Sequence, residues 1–474
     1  MTALIAIAAV LSASLAIGLF AVRTSPTTPD FLIASRRILP TWNATAIAGE
    51  YISAASALGL AGLLWRNGVG AMWFGVGFTA GYVLIAQFTA GPMRRSGAYT
   101  VPDFAEFRLG SVRLRRFCGL VGALIALLYL IPQFKAAGVV LHAVSGLPYG
   151  VGVVASGVIV AASIVWGGIR SATYVQAFHY LVKIAFIALP GLFLWFSAGS
   201  RPDLDRPVDW GSVLLVADGA PSLWATVSVL AATTLGAVGL PHVIMRFHAS
   251  PGARSARRVA VGVVLLLGLF YLFPAVYGLL ARVNVTDSAD ADLVVLELAQ
   301  ALDPSGVVLA LAAAGGFAAF LSTSSGLLVA LGSSLSHDLF NVSVRRLRLG
   351  VAAGCALAVA LAVPTSSVDI NVLVGWAFSL AAATFCPLLV LGIWWKGLTA
   401  AGASSGMAAG ALSILASAAL ATAASVPPWI AYPALWAAPL SFAVMIAVSR
   451  RTALPARAED TVLFLHLPKD SATT

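Results

Sequence analysis

Ser322 and Thr323 stand side by side one helical turn after Ala319, in the run GGFAAFLSTSSGLLVALGSSLSHDLF at 315–340. Read at ~100° per residue, the run puts Ala319, Ser322, Thr323, Gly326, Ala330, Ser333 and His337 on one small, hydroxylated face. Phe317, Phe320, Leu321, Leu328 and Leu331 take the other face, which suits lipid or a packed bundle. The two hydroxyls and the Ala319 carbonyl offer three hard oxygens to one point, a donor set for a small hard cation. The same hydroxyls can instead bond back to carbonyls one turn earlier, the small face then serving only close helix packing. Composition alone favours the second of these readings.

Two further stretches break an apolar helix with chemistry-bearing residues. The first is Gly49-Glu50-Tyr51-Ile52-Ser53, with Gly59 and Gly62 beyond; the second is LGAVGLPHVIMRF, where Gly236, Gly239 and Pro241 weaken the backbone ladder. Backbone broken at membrane depth exposes amides and carbonyls, and survives only against protein or a wet site. An ionisable residue inside a span is a functional candidate by default, and Glu50 lies in the first break. Lys135 is placed to face the interior, Lys183 and His179 to snorkel from the cytoplasmic half of their span, and Arg246 to anchor a helix end. No spacing matches a hydrolase triad, a phosphate-binding loop or a zinc site, so an enzyme is not expected. Cys118, Cys355 and Cys386 are scattered, with neither metal nor redox spacing.

The elements that must position these residues are membrane helices. Of 474 residues, 60% are apolar and only 10% charged, and the mean hydropathy is +0.95. That composition predicts an all-α polytopic membrane protein lying in a lipid bilayer. The net charge of +10 does not point to nucleic acid, because the arginines gather in alternate loops as the positive-inside rule arranges them. About thirteen apolar segments can be drawn, each near the ~20 residues that cross a bilayer. The alternation of basic and acidic loops predicts a multi-pass protein of the plasma membrane, N-terminus outside and C-terminus cytoplasmic. With the first segment set aside, two runs of five helices remain, each opening on an interrupted helix. Five is odd, so the two repeats insert with opposite orientation, the arrangement of alternating-access transporters. The predicted organisation is an extra helix and cytoplasmic linker at 1–41, a first five-helix repeat at 42–198, an extracellular loop at 199–222, an inverted second repeat at 223–396, two extra helices at 397–450 and a cytoplasmic tail at 451–474.

The stretches EYISAASALGLAG (50–62), GGIRSATYVQAF (167–178), LPHVIMRFHASPGARSAR (240–257) and FLSTSSGLLVALGSSLSHDLF (320–340) together resemble the sodium:solute symporter family, and within it the cation–acetate or monocarboxylate permease branch. The resemblance runs from about Trp42 to Lys396. It implies a leucine-transporter-type five-plus-five inverted-repeat core, in agreement with the repeat drawn above. It also implies a sodium site at the carbonyls of Gly49, Ile52 and Ala319 and the hydroxyls of Ser322 and Thr323. Sodium is then the coupling ion, with Glu50 in an electrostatic or gating role. Some members hold a second sodium with an acid where this chain has Gln176, next to Ser325, so one sodium per solute is expected here. The N-terminal ends of the half-helices at the two breaks carry positive potential, which places a small organic anion near Tyr51, Ser53, Ala54, Gln133, Gly236 and Gly239. The function expected is sodium-coupled symport of an acetate-, pyruvate- or propionate-like monocarboxylate. Proton coupling, another solute (an amino acid, a sugar, urea), or a membrane sensor module remain as alternatives, the short stretch after Ala453 favouring transport over the last.

Overall fold

The computed structural model describes residues 1–22, 38–198, 222–285, 290–339, 344–455 and 458–467, and every regular element among them is helical. Arg23, Arg36 and Arg37, the acidic loop residues Asp203, Asp205, Asp209 and Asp287, and the chain from 468 lie outside the described residues.

Among the described residues nine helices are long and apolar enough to cross a membrane. The pair Pro40–Tyr51 and Ala55–Asn67, bent by 67°, gives a tenth, and the shorter apolar helices Thr2–Gly18, Tyr149–Ile164 and Ala434–Ser449 stand where the remaining expected spans fall. One expected loop is absent. Thirteen separate spans require a break in the GGIR stretch, but the backbone stays helical through Tyr149–Lys183. Glycine costs a helix about 1 kcal/mol, well under the ~3 kcal/mol of proline.

Both interrupted helices are broken where the sequence weakens them. The first leaves helical geometry at Ile52 (φ −69°, ψ 86°) and resumes through a π-turn at Ala55–Gly59. The second breaks at Leu240 (φ −72°, ψ 118°), between Leu223–Gly239 and Pro241–His248. Leu240 precedes a proline, whose ring pushes it into extended backbone, and Pro241 then opens the next helix at the position where its missing N–H costs nothing.

The helix Val307–Ser333 lies at the centre, against Val112–Ser145, Tyr149–Lys183 and Thr2–Val22. In its most apolar window 83% of residues are buried, against 33% for Ala400–Ala423 at the periphery. Its Phe317, Phe320, Leu321, Leu328 and Leu331 are all buried, so the apolar face meets protein and not lipid. Small residues set the close crossings. A Cβ on Gly49 would lie 2.1 Å from the Gln176 carbonyl oxygen, which locks the first break onto the Tyr149–Lys183 helix.

Candidate functional site

The first break presents the last turn of Pro40–Tyr51 to the middle of Val307–Ser333. Carbonyls at a helix C-terminus lack intrahelical partners, and here they meet the two hydroxyls. Ser322 Oγ lies 2.7 Å from Gly49 O and 3.0 Å from Ala319 O. Thr323 Oγ1 lies 2.5 Å from Glu50 O and 3.2 Å from Ala319 O. The structure thus brings Gly49, Ala319, Ser322 and Thr323 together, with Ile52 joining them through one further group.

That group is Lys183. Its ammonium donates to Gly49 O, to Ile52 O at 2.6 Å and to Ser322 Oγ at 2.7 Å. The snorkelling expected for Lys183 is corrected: the residue is fully buried. His179, one turn earlier, is buried as well, with Nε2 2.7 Å from Ser14 Oγ. Thr173, Gln176, His179 and Lys183 recur every three or four residues and make one polar stripe, which the bundle turns inward. A sodium ion would draw on the same oxygens that Nζ holds, so with Lys183 in this place the residues do not fit a bound sodium.

Beside this cluster lies a buried ion pair. Arg246 Nε sits 2.7 Å from Glu50 Oε2, and both side chains are at most 2% exposed. Arg246 also donates to Thr173 Oγ1 at 2.8 Å and to Gln176 Oε1. The role expected for Arg246, an anchor at the membrane surface, is therefore corrected. Gln176 Nε2 donates to Ser322 O at 3.0 Å and Ser325 Oγ at 2.9 Å, so an amide fills the ground next to Ser325. The second carboxylate oxygen of Glu50 has no hydrogen-bond partner among the described residues and faces Gly326.

Around the breaks the walls are aromatic. Tyr51 packs edge-on against Tyr82 at 4.7 Å and Phe78 at 5.7 Å, and Phe378 lies between Tyr51 and Tyr129. Tyr129 in turn meets His242 at 5.6 Å. Gln133 Oε1 accepts from the Ala54 amide at 3.2 Å, and Ser53 Oγ accepts from Ser56 N at 3.4 Å. Tyr51, Ser53, Ala54 and Gln133 thus share one region. Gly236 and Gly239 stand against the neighbouring helix Ile370–Ala383. A Cβ on either would strike the carbonyl oxygen of Phe378 (2.5 Å) or Ala381 (2.3 Å), so they serve the packing of helix Ile370–Ala383. Composition alone marked these glycines as backbone permissive but not for what approaches them.

Of three donors here the sequence reading named Tyr51 and passed over Tyr82 and His242. Tyr51 Oη, Tyr82 Oη and both ring nitrogens of His242 are buried and have no hydrogen-bond partner among the described residues. Polar side chains on otherwise apolar helices were the available signal.

Two ionic clusters stand about 30 Å apart along Val112–Ser145, some twenty residues of helix. Near its end Lys135 pairs with Asp292 at 2.9 Å, both buried, tying it to the segment before helix Val294–Leu302. Near its start Arg115 bridges Asp103 (3.1 Å) and Glu106 (3.0 Å), His337 reaches Asp103 at 3.2 Å, and Thr100 Oγ1 donates to Asp338 at 2.7 Å. A separate crevice of about 790 Å³, lined by Phe74, Thr233, Asn371 and Trp376 among others, approaches the bundle without touching residues 49–54.

The fold has counterparts among solved structures. The structure is similar to that of a Na⁺-coupled sialic acid symporter in a substrate-bound outward-open state, with TM-score 0.76 at 14% identity over 96% of this chain and 98% of that one. It is also similar to Mhp1, a nucleobase-cation-symport-1 family transporter, with TM-score 0.62 at 14% identity over 93% and 99% of the two chains. By sequence it is 28% identical to the uncharacterized symporter YwcA of Bacillus subtilis over 427 residues, 85% of this chain and 83% of the relative. It is likewise 28% identical to a monocarboxylic acid transporter of Corynebacterium glutamicum over 423 residues, 79% of this chain and 75% of the relative. The fold is the leucine-transporter type, and these neighbours are transporters, not enzymes. The family model matches residues 31–410, and the chain belongs to the sodium:solute symporter family.

Proposed function

We propose that this chain is a secondary active transporter carrying a small organic anion of the monocarboxylate class by alternating access. Its family and its likeness to a Na⁺-coupled symporter support symport with a cation. The observation that carries the choice of solute is the set of buried donors without partners at the breaks, Tyr51, Tyr82 and His242. Buried polar groups are nearly always hydrogen-bonded, so such a set argues for a ligand. Charge agrees with this. Lys183 and Arg246 bring two positive charges to the region and Glu50 one negative, leaving one positive charge for one carboxylate to balance. The relative named as a monocarboxylic acid transporter supports the same class.

In this reading Tyr51, Ser53, Ala54 and Gln133 form the solute's wall, with Glu50 holding Arg246 in place. The Lys135–Asp292 and Arg115–Asp103 clusters close the two ends in turn. The charge pattern of the loops supports an N-terminus outside and a C-terminus in the cytoplasm.

The test is uptake of a labelled panel (acetate, propionate, pyruvate, proline, glucose and urea) into proteoliposomes. Saturable uptake confined to the monocarboxylates is expected, with Tyr51→Phe and Tyr82→Phe each raising KM about tenfold, the ~1–1.5 kcal/mol of one hydrogen bond. Uptake of proline, glucose or urea instead would overturn the choice of solute.

A further inference from the structure

The oxygens that the family resemblance assigns to sodium already hold a cation that belongs to the chain. We propose that the Lys183 ammonium is the resident cation of this site, that the chain binds no sodium there, and that its solute transport therefore does not depend on sodium.

The match is one of donors to acceptors. An ammonium has three N–H groups and accepts nothing. Gly49 O, Ile52 O and Ser322 Oγ each stand within hydrogen-bond distance of Nζ, one acceptor for each donor. The Ser322 hydroxyl is free to accept because its own proton has carbonyls to go to, at Gly49 and Ala319. Nζ therefore replaces a metal ion against three of the five assigned ligands. The other two, Ala319 O and Thr323 Oγ1, are bonded to each other at 3.2 Å. No assigned ligand is left facing open space.

The charges around Nζ leave it in possession. From the broken helix only Glu50 faces it, and Glu50 is held by Arg246 of helix Pro241–His248. On its own helix His179 is turned to Ser14 and Tyr180 donates to the Leu266 carbonyl. The helices Thr2–Val22 and Val307–Ser333 bring no ionisable side chain at all. Next to Ser325, the amide of Gln176 and the guanidinium of Arg246 take the ground of a second ion. An entering sodium would find like charge in contact and its ligands engaged. Lys183 is tethered to a helix, so, unlike a sodium ion, it cannot leave the site with the solute.

The experiment uses the purified full chain. Binding of radioactive sodium is measured at equilibrium, and thermal unfolding is followed in NaCl and in choline chloride at equal ionic strength. The wild type is expected to show no saturable sodium binding up to 100 mM and the same unfolding temperature in both salts. The variant Lys183→Met, which keeps the apolar stem and removes the ammonium, is expected to gain saturable binding at least a hundredfold tighter than any in the wild type. Saturable millimolar sodium binding by the wild type would overturn the proposal, whether or not the variant folds. So would a folded Lys183→Met protein that binds no sodium, because the oxygens would then not be a cation site. Sodium binding is read without any solute, so a failed solute panel counts against the transport reading and leaves this result standing.

Discussion

Removing the charge from Glu50 should cost the fold more than the lost contact suggests. The pair Glu50–Arg246 is buried on both sides at 2.7 Å. In Glu50→Gln the guanidinium keeps only Thr173 and Gln176 as neutral acceptors among its named partners. Breaking one side of a buried pair costs about 3–5 kcal/mol, because the surviving buried charge loses its compensation. Arg246→Met should cost about the same by stranding the carboxylate, whose second oxygen already lacks a partner. The double variant Glu50→Gln/Arg246→Met leaves neither member of the pair as a lone charge and should lose less than the sum of the singles. Cys118, Cys355 and Cys386 are free and buried, so their reaction with a thiol-reactive dye on heating reports unfolding. The double variant should unfold at a higher temperature than either single. A Glu50→Gln protein as stable as wild type, or strictly additive losses, would refute the reasoning.

Other consequences follow from single contacts. A Cβ in Gly326→Ala would fall 1.6 Å from Glu50 Oε1, so the carboxylate must leave Arg246 and the dye assay should give a loss approaching that of Glu50→Gln. Asp303 accepts from Ser305 Oγ at 2.6 Å and from Val308 N at 2.8 Å ahead of the central helix, and Asp303→Ala should cost about 1 kcal/mol of unfolding free energy. The hydrogen bond from Ser305 and the backbone amides hold this carboxyl below its usual range. Its contribution is therefore present above about pH 4 and fades as pH falls through the depressed folded value, which a pH series of the same variant would check. For orientation, a cysteine placed near Asp205 should label from outside and one near Arg254 only after permeabilisation; the opposite labelling would reverse the topology.

What the sequence made legible was the backbone. Gly236, Gly239 and Pro241 marked one break and the Gly49–Ser53 stretch the other, because each weakens a helical ladder locally. The Ser322–Thr323 pair was legible for the same local reason, since two hydroxyls one turn from a carbonyl must share a face. The side chains that reach across the bundle were not. Lys183 and Arg246 were read by their distance from a helix end, which favours snorkelling and anchoring, yet both turn inward onto partners in the broken helix, 131 to 196 positions earlier in the chain. The stripe Thr173, Gln176, His179 and Lys183 held the signal: a helix with one polar line in an apolar span hides that line from lipid. Gly239 illustrates the converse, since a glycine's sequence context cannot tell a solute wall from the carbonyl of a neighbouring helix.

The central claim is that this chain moves a monocarboxylate with a lysine where the family resemblance assigns sodium. The direct measurement is initial uptake of labelled acetate, propionate and pyruvate into proteoliposomes, with external sodium replaced by choline. The account predicts saturable uptake of at least one of the three at an unchanged rate. Uptake that vanishes in choline and returns with sodium would contradict it.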